Sequence, residues 1–255
     1  MSTQATGWRF GKAIGWGTLS ALGMLGSRQI HAQDTQTKYA HMAPVQQYLM
    51  DRDAEIALAR SAAPDSISRD ATVLVLGRHG YETAVKGKNG FVCMVARGWV
   101  GAFDWPEFWN PKTRGAECLN PPAARSILPL AELRTERVLA GDSIDEIVGK
   151  MSTAINSRVA PSLEPGAMSY MMAKGSYLTD AGDHNGSHVM FYAALADPAT
   201  WGAGVSGSPI GSGPYWFFSD SSRQRYKDLP TIRVFTVSVP KWSDGTLATV
   251  VHRHQ

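Results

Sequence analysis

Two runs of consecutive apolar residues near the middle of the chain predict buried β-strands. They lie within residues 71–76, where positions 73–76 are apolar without a break, and residues 91–95. Unbroken apolar runs of this length are typical of strands that are buried on both faces. Residues 81–86 extend between them as a further strand, and the Asn-Gly pair at 89–90 accepts the positive φ angles of a tight turn. We therefore predict that residues 71–99 form the central hairpin of a sheet.

Apolar residues recur at helical spacing in three other segments. This periodicity predicts helices over residues 41–62, 123–140 and 142–158. Pro129 is expected to kink the second helix or to delay its start. A Ser-x-x-Glu capping box opens the third helix and fixes where it begins.

Prolines and a late series of strands complete the pattern. Residues 101–122 contain four prolines, so we predict one long loop that is packed by its aromatic side chains. Further strands are predicted over residues 167–172, 188–195, 215–218 and 231–239. Because the helices are separated from this run of strands, we predict an α+β fold. It would be a single domain with about three main helices and a mostly antiparallel sheet.

The N-terminal residues have the pattern of a bacterial signal peptide. Arg9 and Lys12 precede an apolar run over residues 13–26, and Ala32 follows as a small residue at a cleavage position. That run is shorter than the ~20 residues that a membrane-spanning helix needs. We therefore predict that residues 1–32 are removed and that residues 33–255 are exported to the periplasm or the medium. Residues 33–42 are polar enough to predict a flexible lead-in.

The charge balance argues against nucleic acid as a partner. The chain has 25 basic and 22 acidic residues, and residues 1–32 contain three of the basic residues and no acidic one. The exported part is therefore close to neutral. A neutral domain has no broad basic field to attract nucleic acid or an anionic membrane. We also predict no transmembrane segment after the signal is removed, because no later stretch is long and apolar enough.

Cys93 and Cys118 are the only cysteines of the chain. In an oxidising compartment they could pair, and closing that loop would contribute about 3 kcal/mol to stability. The alternative is that Cys93, inside an apolar run, is a small buried residue with a free thiol.

The triplet Arg78-His79-Gly80, which follows a predicted strand, resembles the signature of the histidine phosphatases. In that family the histidine accepts the phosphoryl group while arginines bind its oxygens. The resemblance implies a helix after the triplet and a second histidine that is followed by glycine. Here the triplet leads into a strand, and His188 precedes a valine. We therefore favour a polar bend, and His79 is kept as a candidate ligand contact.

A second candidate site is the loop from Asp180 to His188. Asp180, Asp183, His184 and His188 are residue types that bind zinc, and a catalytic zinc site needs three protein ligands and an open position. A metal-dependent hydrolase with a divalent metal such as zinc is therefore one hypothesis. The alternative is a polar loop in which Asp and Asn stabilise turns.

Six tryptophans lie in the predicted exported part. Trp105 and Trp109 belong to the proline-rich segment, where an indole could stack on a sugar or another flat ligand, so we count both as candidate ligand contacts. Tryptophan is equally common as core material with one polar group.

Several longer stretches are similar to a group of uncharacterised bacterial secreted proteins. They cover residues 80–93, 106–111, 164–172, 188–192 and 242–246. The resemblance implies export and a single domain but no activity. The leading hypothesis is therefore an exported soluble domain that binds a small molecule or a cell-envelope component. The metal-dependent hydrolase and a phosphohydrolase acting through His79 are the alternatives.

Overall fold

An eight-stranded sheet organises the part of the chain that the computed structural model describes, residues 38–180 and 186–248. The strands are β1 (Thr72–Leu76), β2 (Tyr81–Val85), β3 (Val92–Ala96), β4 (Gly115–Leu119), β5 (Met168–Met171), β6 (His188–Ala194), β7 (Ile210–Tyr215) and β8 (Ile232–Ser238). The helices are α1 (Arg52–Arg60), α2 (Asp65–Ser68), α3 (Pro121–Ser126), α4 (Leu128–Leu139) and α5 (Ile144–Asn156). The predicted single α+β domain is confirmed, with α1, α4 and α5 as its three longer helices.

The strand order is β2-β1-β3-β4-β5-β6-β8-β7, and β1 with β3 is the one parallel pair among these strands. The predicted hairpin across the Asn-Gly turn is wrong, because β2 and β3 lie on opposite sides of β1. The hairpin joins β1 to β2 instead, and the amide of Gly77 donates to the carbonyl of Gly80 at its turn, 2.8 Å away.

Tertiary contacts decide where the Asn-Gly turn leads. Its segment crosses the start of β1, and the amide of Lys88 donates to the carbonyl of Asp70 over 2.8 Å. The Asn89 side-chain amide donates to the Ile67 carbonyl over 2.8 Å. At Gly87 a Cβ would clash with the backbone of Ala71 and Thr72, so only glycine permits this crossing. The polar strand β2 is thereby left at the edge, and the apolar β3 becomes internal.

The first helix is shorter than predicted. Residues 41–62 do not form one helix: Val45–Gln47 form a 3₁₀ turn, and α1 begins only at Arg52. Asp51 ends the irregular part because its side chain accepts hydrogen bonds from the amides of Asp53 and Ala54. Such an N-cap satisfies the first free amides of a helix and fixes its start.

Two further expectations are wrong. The prediction of one loop over residues 101–122 fails at β4, whose five residues are all buried. The four prolines cluster at 106–111 and 121–122, which leaves a proline-free stretch able to pair on both edges. The predicted strand over 215–218 also fails, because β7 ends at Tyr215. Trp216, Phe217 and Phe218 are buried outside the strands, although the amide of Trp216 still donates to the carbonyl of Ile232 in β8 over 2.8 Å.

The central helices follow their local signals. The predicted helix over 123–140 is divided into α3 and α4, with Pro129 in the first turn of α4 as a delayed start requires. The predicted capping box of α5 is confirmed, since Ser143 and Glu146 bond each other's backbone amides at 3.4 and 2.8 Å.

Both faces of the sheet carry buried residues, and the two cysteines lie on the adjacent strands β3 and β4. Cys93 and Cys118 are directly opposite each other, fully buried, with their sulfur atoms at disulfide distance. The pairing alternative is therefore the one observed. Within residues 38–180 and 186–248 no helix is long and apolar enough to cross a membrane.

Candidate functional site

Trp109 forms a wall shared by two adjoining cavities, of about 360 and 510 Å³. We call these two cavities together the Trp109 groove. The opposite wall is the segment of residues 38–47, which we call the N-terminal strap; its Ala40 and His41 line both cavities. The indole of Trp109 is half-buried and meets the ring of Phe108 edge to face, with centroids 4.6 Å apart. This edge-to-face contact fixes the orientation of the Trp109 indole.

One hydroxyl group connects the two walls of the groove. Tyr48 is fully buried, and its hydroxyl donates to the carbonyl oxygen of Trp109 over 2.8 Å. The hydroxyl oxygen of Tyr48 in turn accepts the amide of Ala43 in the strap over 3.1 Å. The ring of Tyr48 packs on Trp99, with centroids 4.7 Å apart. Tyr48 therefore fixes the distance between Trp109 and the strap.

A buried ion pair supports Tyr48 from below. Arg97 donates from Nε to the carbonyl of Tyr48 over 2.8 Å and from Nη2 to Glu55 Oε1 over 2.9 Å. Glu55 Oε1 also accepts the amide of Leu76 in β1 over 3.1 Å. Because Arg97 and Glu55 are almost completely inaccessible, their charges are compensated by each other and by hydrogen bonds, which include one from Arg97 Nη1 to the carbonyl of Val95. The ion pair thus couples the position of Tyr48 to the sheet.

The walls of the smaller cavity combine apolar surface with compensated charges. Met42, Val138 and Ile144 lie beside the indole. At the rim, Asp145 lies 3.2 Å from Arg225, while Asp142 accepts a hydrogen bond from a lysine outside the cavity over 2.6 Å. Mostly apolar pockets with a few fixed polar groups are typical of small-molecule sites. The arrangement suits an amphipathic ligand with little net charge.

Asp180 anchors the strap rather than standing open to a metal ion. Its carboxylate accepts hydrogen bonds from Lys38 and Tyr39 of the strap and from Tyr177, the Tyr39 bond being 2.7 Å long. The ammonium group of Lys38, followed by the two phenols, holds the pKa of Asp180 well below its usual range. In return the hydrogen bond to Asp180 raises the pKa of Tyr177 to about 12. Lys38 and Tyr39, which belong to the predicted flexible lead-in of residues 33–42, are therefore held by Asp180.

The other predicted zinc ligands do not form a site with Asp180 in the described structure. His188 begins β6 and is buried, with Nδ1 3.0 Å from the carbonyl oxygen of Gly186. Asp183 and His184 lie outside the described residues. Among the residues that are described, no group of three His, Cys, Asp or Glu side chains could hold a metal ion.

His79 and Trp105 are not brought to the groove. His79 is exposed in the turn between β1 and β2, which is the polar bend that we favoured for the Arg-His-Gly triplet. Trp105 is half-buried in the same loop as Trp109 but lines neither cavity of the groove. Of the candidate ligand contacts, only Trp109 faces a cavity of this site.

Sequence reasoning missed the residues that position Trp109. Tyr48 is separated from Trp109 by 61 positions, and Arg97 from Glu55 by 42. Contacts between such distant positions leave no periodic or capping signal. The one available hint was that Arg97 stands in an otherwise apolar stretch of sequence, where a charge needs a partner.

The fold and the site together define an α+β domain with an aromatic-walled groove. Comparison of the chain with protein-family profiles, curated proteins and solved structures found no match.

Proposed function

We propose that this protein is an exported domain that binds a small molecule or a cell-envelope component in the Trp109 groove. The observation that carries the proposal is the position of one indole as a wall common to two cavities, with the strap opposite. The residues around it are fixed by hydrogen bonds, so the groove is formed before a ligand arrives. A preformed pocket lowers the ordering cost of binding.

Export is supported by the cysteines. Paired cysteines persist in oxidising compartments and are rare in the cytosol. Cys93 and Cys118 lie at disulfide distance on adjacent strands. The two hydrolase hypotheses, through the Asp180–His188 loop and through His79, stay predictions, because no contact among the described residues favours either.

Ligand-observed NMR with a library of uncharged and zwitterionic aromatic and aliphatic fragments tests the groove. We expect fragments that bind the wild-type protein to lose binding in Trp109→Leu and to keep it in Trp105→Leu, the matched change in the same loop. Far-ultraviolet circular dichroism and thermal unfolding establish that both variants are folded. If no fragment binds, or if Trp109→Leu binds as the wild type does, the proposal fails.

A further inference from the structure

We propose a second binding site, for a neutral saccharide, at Trp201 over strands β6 and β8. It goes beyond the proposed function and does not depend on the Trp109 groove. A cavity of about 300 Å³ lies here between residues 163–167, residues 191–194 and the indole of Trp201. This is at the lower end of the range of about 300–1,000 Å³ for ligand pockets, which suits one or two sugar rings.

Trp201 is a rigid aromatic platform. It ends a short 3₁₀ turn, and its indole is stacked on Phe235 with centroids 4.2 Å apart and an angle of only 5° between the ring planes. Phe235 is completely buried in β8, whereas Trp201 is 37% exposed. Because Phe235 covers one face of the indole, the exposed surface is the other face and the edge. Phe191 stands beside it at 46°, with centroids 6.3 Å apart, and the two rings form an angled apolar floor.

The cavity wall carries one oriented polar group. Glu164 lines the cavity, and Arg125 holds its carboxylate through two hydrogen bonds of 2.9 and 2.7 Å. A carboxylate has about four acceptor positions, so two remain for other donors. The bidentate contact also fixes the plane of the carboxylate.

This combination distinguishes a saccharide from other small ligands. A sugar ring presents a face of C–H groups, which packs on an aromatic ring, and a rim of hydroxyl donors, which the free positions of Glu164 would accept. Since Arg125 already neutralises Glu164, the lining has no uncompensated charge to attract an ionic ligand. A purely apolar ligand would remove water from the ion pair and return no hydrogen bond, which is costly.

Isothermal titration of the purified protein with cellohexaose, maltohexaose, xylohexaose and chitohexaose tests the proposal. We expect at least one of these neutral oligosaccharides to bind with a Kd of about 1 mM or tighter. Trp201→Ala should weaken that binding at least about tenfold, because the platform is lost. Glu164→Gln should weaken it less, and Val205→Ala, an exposed apolar residue in the following glycine-rich segment, should leave it unchanged.

Trp201→Phe keeps a smaller aromatic platform, and this variant replaces Trp201→Ala in the binding test if Trp201→Ala does not fold. Any of the following results overturns the proposal: no oligosaccharide binds at about 10 mM, binding survives unchanged in both Trp201 variants, or the site binds only an anionic aromatic dye such as anilinonaphthalene sulfonate. Loss of saccharide binding in Trp109→Leu but not in the Trp201 variants would also overturn it, while leaving the proposed function of the groove intact.

Discussion

Removal of a single oxygen atom, in Tyr48→Phe, should loosen the Trp109 groove without unfolding the domain. The hydroxyl of Tyr48 accepts the amide of Ala43 and donates to the carbonyl of Trp109, so it joins the strap to the indole-bearing loop. Phenylalanine keeps the ring and its packing on Trp99. The substitution therefore separates the connection between the walls from the packing of the core.

The expected loss follows from the two hydrogen bonds. A typical intramolecular hydrogen bond contributes about 1 kcal/mol to the free energy of unfolding, and a buried group that is left without a partner costs about 1–3 kcal/mol. Ala43 and Trp109 are both half-buried, so water replaces part of what is lost. We expect Tyr48→Phe to lower the free energy of unfolding by about 2 kcal/mol, with a Tm decrease of about 4–8 °C for a domain of this size.

Urea unfolding gives the stability, and fragment titration by NMR gives the affinity of the groove. Tyr81→Phe is the matched control, because the hydroxyl of Tyr81 donates one hydrogen bond to the carbonyl of Val95 over 2.9 Å and Tyr81 lines neither cavity. We expect Tyr81→Phe to lower the free energy of unfolding by about 1 kcal/mol and to leave fragment binding unchanged. Tyr48→Phe should weaken it about threefold to tenfold.

Two results would refute this reasoning. A stability loss below about 0.5 kcal/mol would mean that the hydroxyl does not connect the walls. Equal effects of the two variants on fragment affinity would mean that the groove responds to overall stability and not to Tyr48.

Three further predictions concern other parts of the domain. Replacing Cys93 and Cys118 together by alanine should cost about 3.5 kcal/mol in urea unfolding, because the bridge closes a loop of 25 positions; unchanged stability would contradict this. Arg158, just after α5, has a φ of 58°, a left-handed conformation that glycine adopts without strain. Arg158→Gly should therefore raise the free energy of unfolding by about 1 kcal/mol, and Arg158→Ala should leave it unchanged. Burial raises the pKa of Glu117, whose carboxylate accepts the Tyr192 hydroxyl over 2.6 Å. The folded protein then retains a proton that the unfolded chain has released, so the contribution of Glu117 to stability falls as pH rises above about 4.5. The free energy of unfolding of Glu117→Gln, relative to that of the wild type, should therefore increase between about pH 4 and about pH 8. An equal difference at both pH values would contradict this expectation.

Much of the fold could be predicted because its signals are short-range. The capping box at the start of α5, the effect of Pro129 and the apolar run of β3 each depend on residues a few positions apart. The α+β class follows from the order of such segments. The limits of α1 were missed because helical periodicity continued past Asp51, whose side chain caps the helix only when the preceding chain turns away.

The order of the strands required tertiary structure, because a strand has two edges and its sequence does not name its neighbour. The Asn-Gly pair predicts a turn correctly, yet the contacts of Asn89 and Gly87 with the start of β1 carry the chain across to the far edge. The same limit applies to the groove. Trp109 can be recognised from the sequence as part of an aromatic, proline-rich segment. That Trp109 lines the groove with the strap, while Trp105 and His79 do not, follows from contacts between distant parts of the chain. A cavity is formed by backbone segments that are far apart in the chain. Here Tyr48, Arg97 and Glu55 bring those segments together, and their hydroxyl and charges find partners only after folding.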